Sequence, residues 1–160
     1  MKSMKTKCIP LVLGFALLMP AAVGAAELTP VEGSIVPSEI IFTLNGTDMT
    51  VNGKVTAMDA QPTQKDGFTY IPLRYAAEAM GAVVTWNAED RAATMQWDNK
   101  SVLLTVGTDK VLINGEEKIA SSNVTMIGER AMIPVSLFTE LTGWTADLAD
   151  EGKTIRLLRP

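Results

Sequence analysis

The sequence predicts an α+β fold, mostly antiparallel, made of a duplicated β-hairpin/helix/β-hairpin unit with one short helix per unit. Three observations carry this reading. Short runs rich in Val, Ile, Thr, Leu and Met alternate with turn dipeptides from Ile40 onward. A shift of 62 positions superimposes two halves without a gap, placing Asn52-Gly53 on Asn114-Gly115, Ile71-Pro72 on Ile133-Pro134, Glu78 on Glu140 and Gly81 on Gly143. Each half contains one stretch of helical spacing bracketed by proline and glycine.

The elements follow in order. Residues 1–26 read as a secretory signal peptide. Lys2, Lys5 and Lys7 form a basic start, Ile9 to Met19 an apolar run, and Ala21 to Ala26 a small-residue cleavage region ending after Ala25 or Ala26. The apolar run is shorter than the roughly 20 residues a crossing needs. Cys8 lacks the preceding residues of a lipid-attachment site. Residues 27–39, with two prolines and no period, read as a flexible lead-in.

The remaining domain, 40–160, divides into repeats of about 40–98 and 101–160. Each opens with a hairpin: Ile40–Leu44 with Met49–Val51, and Leu103–Val106 with Val111–Ile113. Asn45-Gly46, Asn52-Gly53 and Asn114-Gly115 are the turn signals, since both central residues of a type I′ turn need positive φ. Polar loops Asp59–Gly67 and Ala120–Thr125 follow, and then strands Phe68–Ile71 and Arg130–Ile133. Pro72 and Pro134 suit the first helical position, where a missing N–H costs nothing. Gly81 and Gly143 supply left-handed helix ends. Closing hairpins pair Val83–Trp86 with Ala92–Trp97, and Thr145–Leu148 with Thr154–Leu158. Helices of two turns are unstable alone, so each must bury its apolar face on strands.

Composition excludes several chemistries. Loss of the leader lowers the basic count from 14 to 11 against 18 acids, which takes net charge from −4 to −7. Such a surface repels nucleic acid and anionic headgroups. With no histidine anywhere and the single cysteine inside the leader, residues 27–160 form no disulfide. They also lack the commonest zinc, copper and haem ligands and hold no His-based catalytic arrangement. No metal or cofactor is expected, and no stable membrane insertion after cleavage.

The succession Tyr70-Ile71-Pro72-Leu73-Arg74, Ala76-Ala77-Glu78-Ala79-Met80-Gly81 and Val83-Val84-Thr85-Trp86-Asn87 resembles the copper amine oxidase N-terminal-like "stalk" domain. The resemblance covers residues 40 to 158 and is closer in the first repeat. In the second, Ser136 stands where the family arginine would sit, and Leu148 where the tryptophan would. It implies a non-catalytic module of secreted and surface proteins, a type widespread in Gram-positive bacteria. In the oxidases copper and quinone belong to a separate domain, and this chain has no histidine to hold copper.

The candidate binding residues are Arg74, Trp97 and Trp144. Arg74 could face a carboxylate or sugar, or pair with Glu78 one turn on. Trp97 and Trp144 sit at element ends where a stacking surface is plausible, whereas Trp86 alternates with Val84 and is expected in the core. Asp147, Asp150 and Glu151, like Glu89 and Asp90, read as solvated turns, because calcium needs six or more converging oxygens. Ser101 beside Lys100 and the Ser121-Ser122 pair lack a nucleophile elbow.

The expected function is therefore a secreted stalk-type module contacting a cell-wall component or an envelope protein through its sheet edges and the Asp59–Gly67 and Ala120–Thr125 loops. The alternative is a small extracellular hydrolase-like or inhibitor protein acting on envelope polymers. That alternative requires two carboxylates converging in a cleft. Exposed edges leave pairing with a second chain open.

Overall fold

Two Asn-Gly turns fix the registers from which the architecture grows. In the computed structural model, which describes residues 37–160, Asn52 (φ 47°) and Gly53 (φ 82°) join strand β2 (Asp48–Val51) to β3 (Lys54–Ala57). Asn114 (φ 52°) and Gly115 (φ 86°) likewise join β9 (Lys110–Ile113) to β10 (Glu116–Ile119). Both are type I′ geometry, whose twist matches that of the strands. The asparagines do more than turn. Asn52 Oδ1 accepts the Ser38 and Glu39 N–H groups at 3.0 and 3.2 Å, and Asn114 Oδ1 accepts the Ser101 N–H at 2.8 Å. Each turn thus pins the start of the adjoining strand. The leader reading and the lead-in up to residue 36 lie outside the described residues.

Among the described residues the fold is α+β, with three antiparallel sheets and two short α-helices. One sheet has the order β13-β14-β1-β2-β3, with β1 at Glu39–Thr43, β13 at Thr145–Ala149 and β14 at Thr154–Leu158. The second has the order β10-β9-β8-β7-β6, with β6 at Val83–Asn87, β7 at Ala92–Trp97 and β8 at Lys100–Thr105. The first sheet therefore joins strands from both ends of the described chain, whereas the second is built from five consecutive strands in its middle. The third, β11-β12-β5-β4, comprises β4 (Thr63–Lys65), β5 (Phe68–Pro72), β11 (Thr125–Ile127) and β12 (Arg130–Pro134).

Period-two burial explains the faces. Ile40, Phe42, Ile155 and Leu157 are fully buried on alternating positions of β1 and β14, as are Met95 and Val102 on β7 and β8. Helix α1 (Leu73–Ala79) buries Leu73, Ala76 and Ala77, and α2 (Val135–Thr142) buries Val135, Leu137, Phe138 and Leu141. These side chains join one hydrophobic cluster. Helix α1 packs on β5, β6 and β12, while α2 packs on β5, β12 and β13, so the central β5–β12 pair supports both.

Several expectations need correction. The Asn45-Gly46 pair is not a two-residue hairpin turn: only Asn45 has positive φ (60°), and the Gly46 N–H bonds the Thr43 carbonyl at 2.9 Å, closing a turn over Thr43–Gly46. Pro72 and Pro134 sit at the N-cap with extended ψ (116° and 138°), because each is still paired in the β5–β12 ladder. The Asp59–Gly67 segment is not all loop, since it contains β4 and the left-handed Asp66-Gly67 turn. Strands β3 and β10 have no alternation to betray them, being exposed along their whole length at sheet edges. The helix-ending glycines stand as expected, Gly81 at φ 95° and Gly143 at φ 78°.

Candidate functional site

The site begins at a segment end. Beyond β3 the chain is held by the Met58 N–H on the Thr47 carbonyl (2.6 Å), with Met58 buried. The next residue, Asp59, is thereby presented at the surface beside α1. Its N–H donates to the Tyr75 hydroxyl at 3.2 Å. Its carboxylate receives both arms of a guanidinium fork from Arg130, 71 residues on. Arg130 Nε reaches Asp59 Oδ1 at 3.1 Å, and Nη2 reaches Oδ2. Arg130 is the first residue of β12, placed there by the tight Gly128-Glu129 turn. Such bidentate geometry fixes both groups in one plane.

The Arg130 fork holds the Asp59 carboxyl below the usual carboxylate range, against a smaller opposing cost of lost hydration, and Tyr75 adds a lesser push downward. The same contact raises Arg130 above its ordinary value. Asp59 is thus a fixed anion. A general acid needs the opposite, a carboxyl whose pKa has been raised toward the working pH.

Two cavities meet at this ion pair. One, of about 180 Å³, is walled by Tyr75, Val84, Trp86 and Met126, with Arg74, Glu129 and the Asp59–Arg130 fork supplying its polar groups. The other, about 530 Å³, lies among Thr47, Met58, Gln61, Thr63 and Ile127, and shares Asp59, Glu129 and Arg130 with the first. Val84 and Trp86 reach the smaller cavity from the same face of β6, as their alternation requires.

The expected site residues do not converge. Arg74 does line the smaller cavity. Its Nε stands 3.8 Å from Glu78 Oε1, the one-turn ion pair foreseen for it, with both side chains more than half exposed. Trp144 is only 5% exposed and belongs to the hydrophobic cluster, because the chain leaving Gly143 turns it inward. It offers no stacking surface. Trp97 packs half-buried against the cluster with Lys100 Nζ 5.2 Å from its ring centre, and that ammonium also donates to the Leu141 carbonyl at the end of α2. It lines neither cavity. Trp86, expected in the core, is half-buried: it packs against the hydrophobic cluster and also walls the smaller cavity.

A family model for the copper amine oxidase N-terminal domain matches residues 38–157. The chain belongs to that family. No curated protein matches it. The family's motif residues now have places: Pro72 ends a ladder strand, Arg74 and Trp86 border one cavity, and Gly81 closes α1. In the oxidases the N-terminal domain is a non-catalytic module. Among the described residues no group of three or more acidic, histidine or cysteine side chains is placed to hold a metal ion. No helix among them is long and apolar enough to cross a membrane.

Asp59, Tyr75 and Arg130 were invisible as a site in the sequence, since nothing in a 71-residue separation links an aspartate to an arginine. The signals nearest to them were the motif tryptophan at 86 and the Asp59–Gly67 segment.

Proposed function

We propose that this chain is an exported, non-catalytic binding module that engages a component of the cell envelope through the cavities flanking the Asp59–Arg130 pair. The single observation that carries this reading is a pre-formed aromatic and polar site on a chain of a family whose domain is a non-catalytic module in the oxidases. The Asp59–Gly67 segment, expected to make contacts, supplies one wall of the larger cavity. The hydrolase alternative is weaker. Asp59 and Glu129 do border one cavity, but Asp59 is tied to Arg130 with its pKa depressed.

We also read the domain as two copies of one unit. Strands β2, β3, β4, β5 and β6 begin and end 62 positions before β9, β10, β11, β12 and β13. On this reading the site arose on one side only, because Tyr75, Trp86 and Arg130 have Leu137, Leu148 and Phe68 at the 62-residue offset. The basic-apolar-small leader supports export.

Binding is tested by sedimenting the purified protein with washed envelope fragments, intact or stripped of protein. Saturable retention is expected, and no retention on either preparation overturns the proposal. Expression of the full chain in a secreting host, followed by N-terminal sequencing, tests export. The mature chain is expected to start at Ala26 or Glu27, and an unprocessed Met1 terminus would refute the leader.

A further inference from the structure

The smaller cavity is specific enough to name a ligand class. We infer that it holds one ring of a neutral saccharide, set against Trp86 and hydrogen-bonded by Arg74, Arg130 and Glu129. This rests on the binding-module reading above.

Size comes first. At about 180 Å³ the cavity is smaller than the roughly 300 Å³ at which pockets for drug-sized molecules begin, so it takes a single ring. Its wall carries half-buried Trp86 and Tyr75, aromatic surfaces on which the C–H face of a pyranose packs without loss of hydrogen bonds.

Charge then selects among rings. Arg74 and Arg130 are balanced by Asp59 and Glu129, so the lining has no net charge with which to choose an ion. The fork to Asp59 uses Nε and Nη2 of Arg130, and the remaining N–H groups on Nη1 have no partner among the described residues. Arg74, at 3.8 Å from Glu78, is beyond hydrogen-bonding distance of it. Glu129 has no ion-pair partner among the described residues, and its carboxylate can only accept. Free donors and a free acceptor thus border one space. A ligand carboxylate would leave Glu129 facing a like charge, and a ligand ammonium would do the same to Arg74. Hydroxyl groups both donate and accept, and satisfy both sides.

The adjoining cavity shares Asp59, Glu129 and Arg130, so a second ring continues past the ion pair. The preferred ligand is an oligosaccharide, with affinity rising from one ring to several.

The test is calorimetric titration of the full chain with cello-oligosaccharides and chito-oligosaccharides of increasing length. Oligogalacturonate, deacetylated chito-oligosaccharide, and acidic and basic peptides serve as charged rivals. Binding of a neutral series is expected, with little dependence on salt. Trp86→Leu, which installs the side chain found at position 148, is expected to weaken it at least about tenfold. Arg74→Ala, at an exposed position, is expected to weaken it as well and covers the case in which Trp86→Leu fails to fold. Leu148→Ala is expected to leave affinity unchanged. Failure of every neutral oligosaccharide to bind, tighter binding of a charged rival or peptide, or binding indifferent to both site variants overturns the inference. Envelope retention that survives Trp86→Leu and Arg74→Ala would sink this assignment while leaving the binding-module reading in place.

Discussion

Ile71 lies directly opposite Ile133 in the antiparallel ladder between β5 and β12, and both side chains are fully buried. They are 62 positions apart, the same offset that superimposes the two halves of the sequence. On the two-copy reading proposed above these are equivalent residues, and their antiparallel pairing is what a local two-fold relation requires. Here it places both helices on one shared strand pair, where α1 meets β12 and α2 meets β5.

Ile71→Ala is expected to destabilise the domain by about 2–5 kcal/mol, the range for large-to-small changes at fully buried sites. Urea unfolding followed by circular dichroism measures this. A loss below about 1 kcal/mol would mean that the ladder centre is not a packed core.

The interleaved sheets predict that the halves are not independent. β1 finds a partner in β14, and β7 in β8, so cutting the chain between residues 98 and 100 strips both five-stranded sheets of partners. Residues 37–98 alone are expected to be unfolded, whereas 37–160 unfolds in one cooperative transition. A dispersed amide spectrum from the isolated first half would contradict this.

The Asp59–Arg130 pair predicts an acid-sensitive contribution. The folded-state pKa of Asp59 is depressed, so its stabilisation is full above the unfolded carboxylate value near 3.9 and fades as pH falls through the lower folded value. Arg130 stays charged throughout this window. The melting-temperature gap between wild type and Asp59→Asn should therefore be constant from neutral pH down to about 5 and close below about 4. A gap that widens on acidification would refute the assignment.

Trp144 and Arg74 should separate stability from binding. Trp144→Ala removes a core side chain and is expected to cost about 3–5 kcal/mol. Arg74→Ala touches an exposed, long ion pair and should change stability by no more than about 0.5 kcal/mol. Denaturation curves of the two variants decide it, and comparable losses would mean that Arg74 is structural.

Much of the local structure was legible in the sequence because it depends on short-range chemistry. Asn52-Gly53 and Asn114-Gly115 announced their turns through the need for positive φ. Gly81 and Gly143 announced the helix ends for the same reason, and Val84 and Trp86 were rightly placed on one strand face. Only tertiary structure decided the rest. Strands β3 and β10 have no buried side, so no periodicity marks them, and Pro72 stays extended because of a partner strand far along the chain. Trp144 went into the core, and Trp86 packs against that core while also bordering a cavity, because one strand face can do both. Burial depends on what packs opposite, which no local pattern encodes. The Asp59–Arg130 fork is the plainest case: a hydrogen bond selects by distance in space, and 71 residues of intervening chain carry no sign of it.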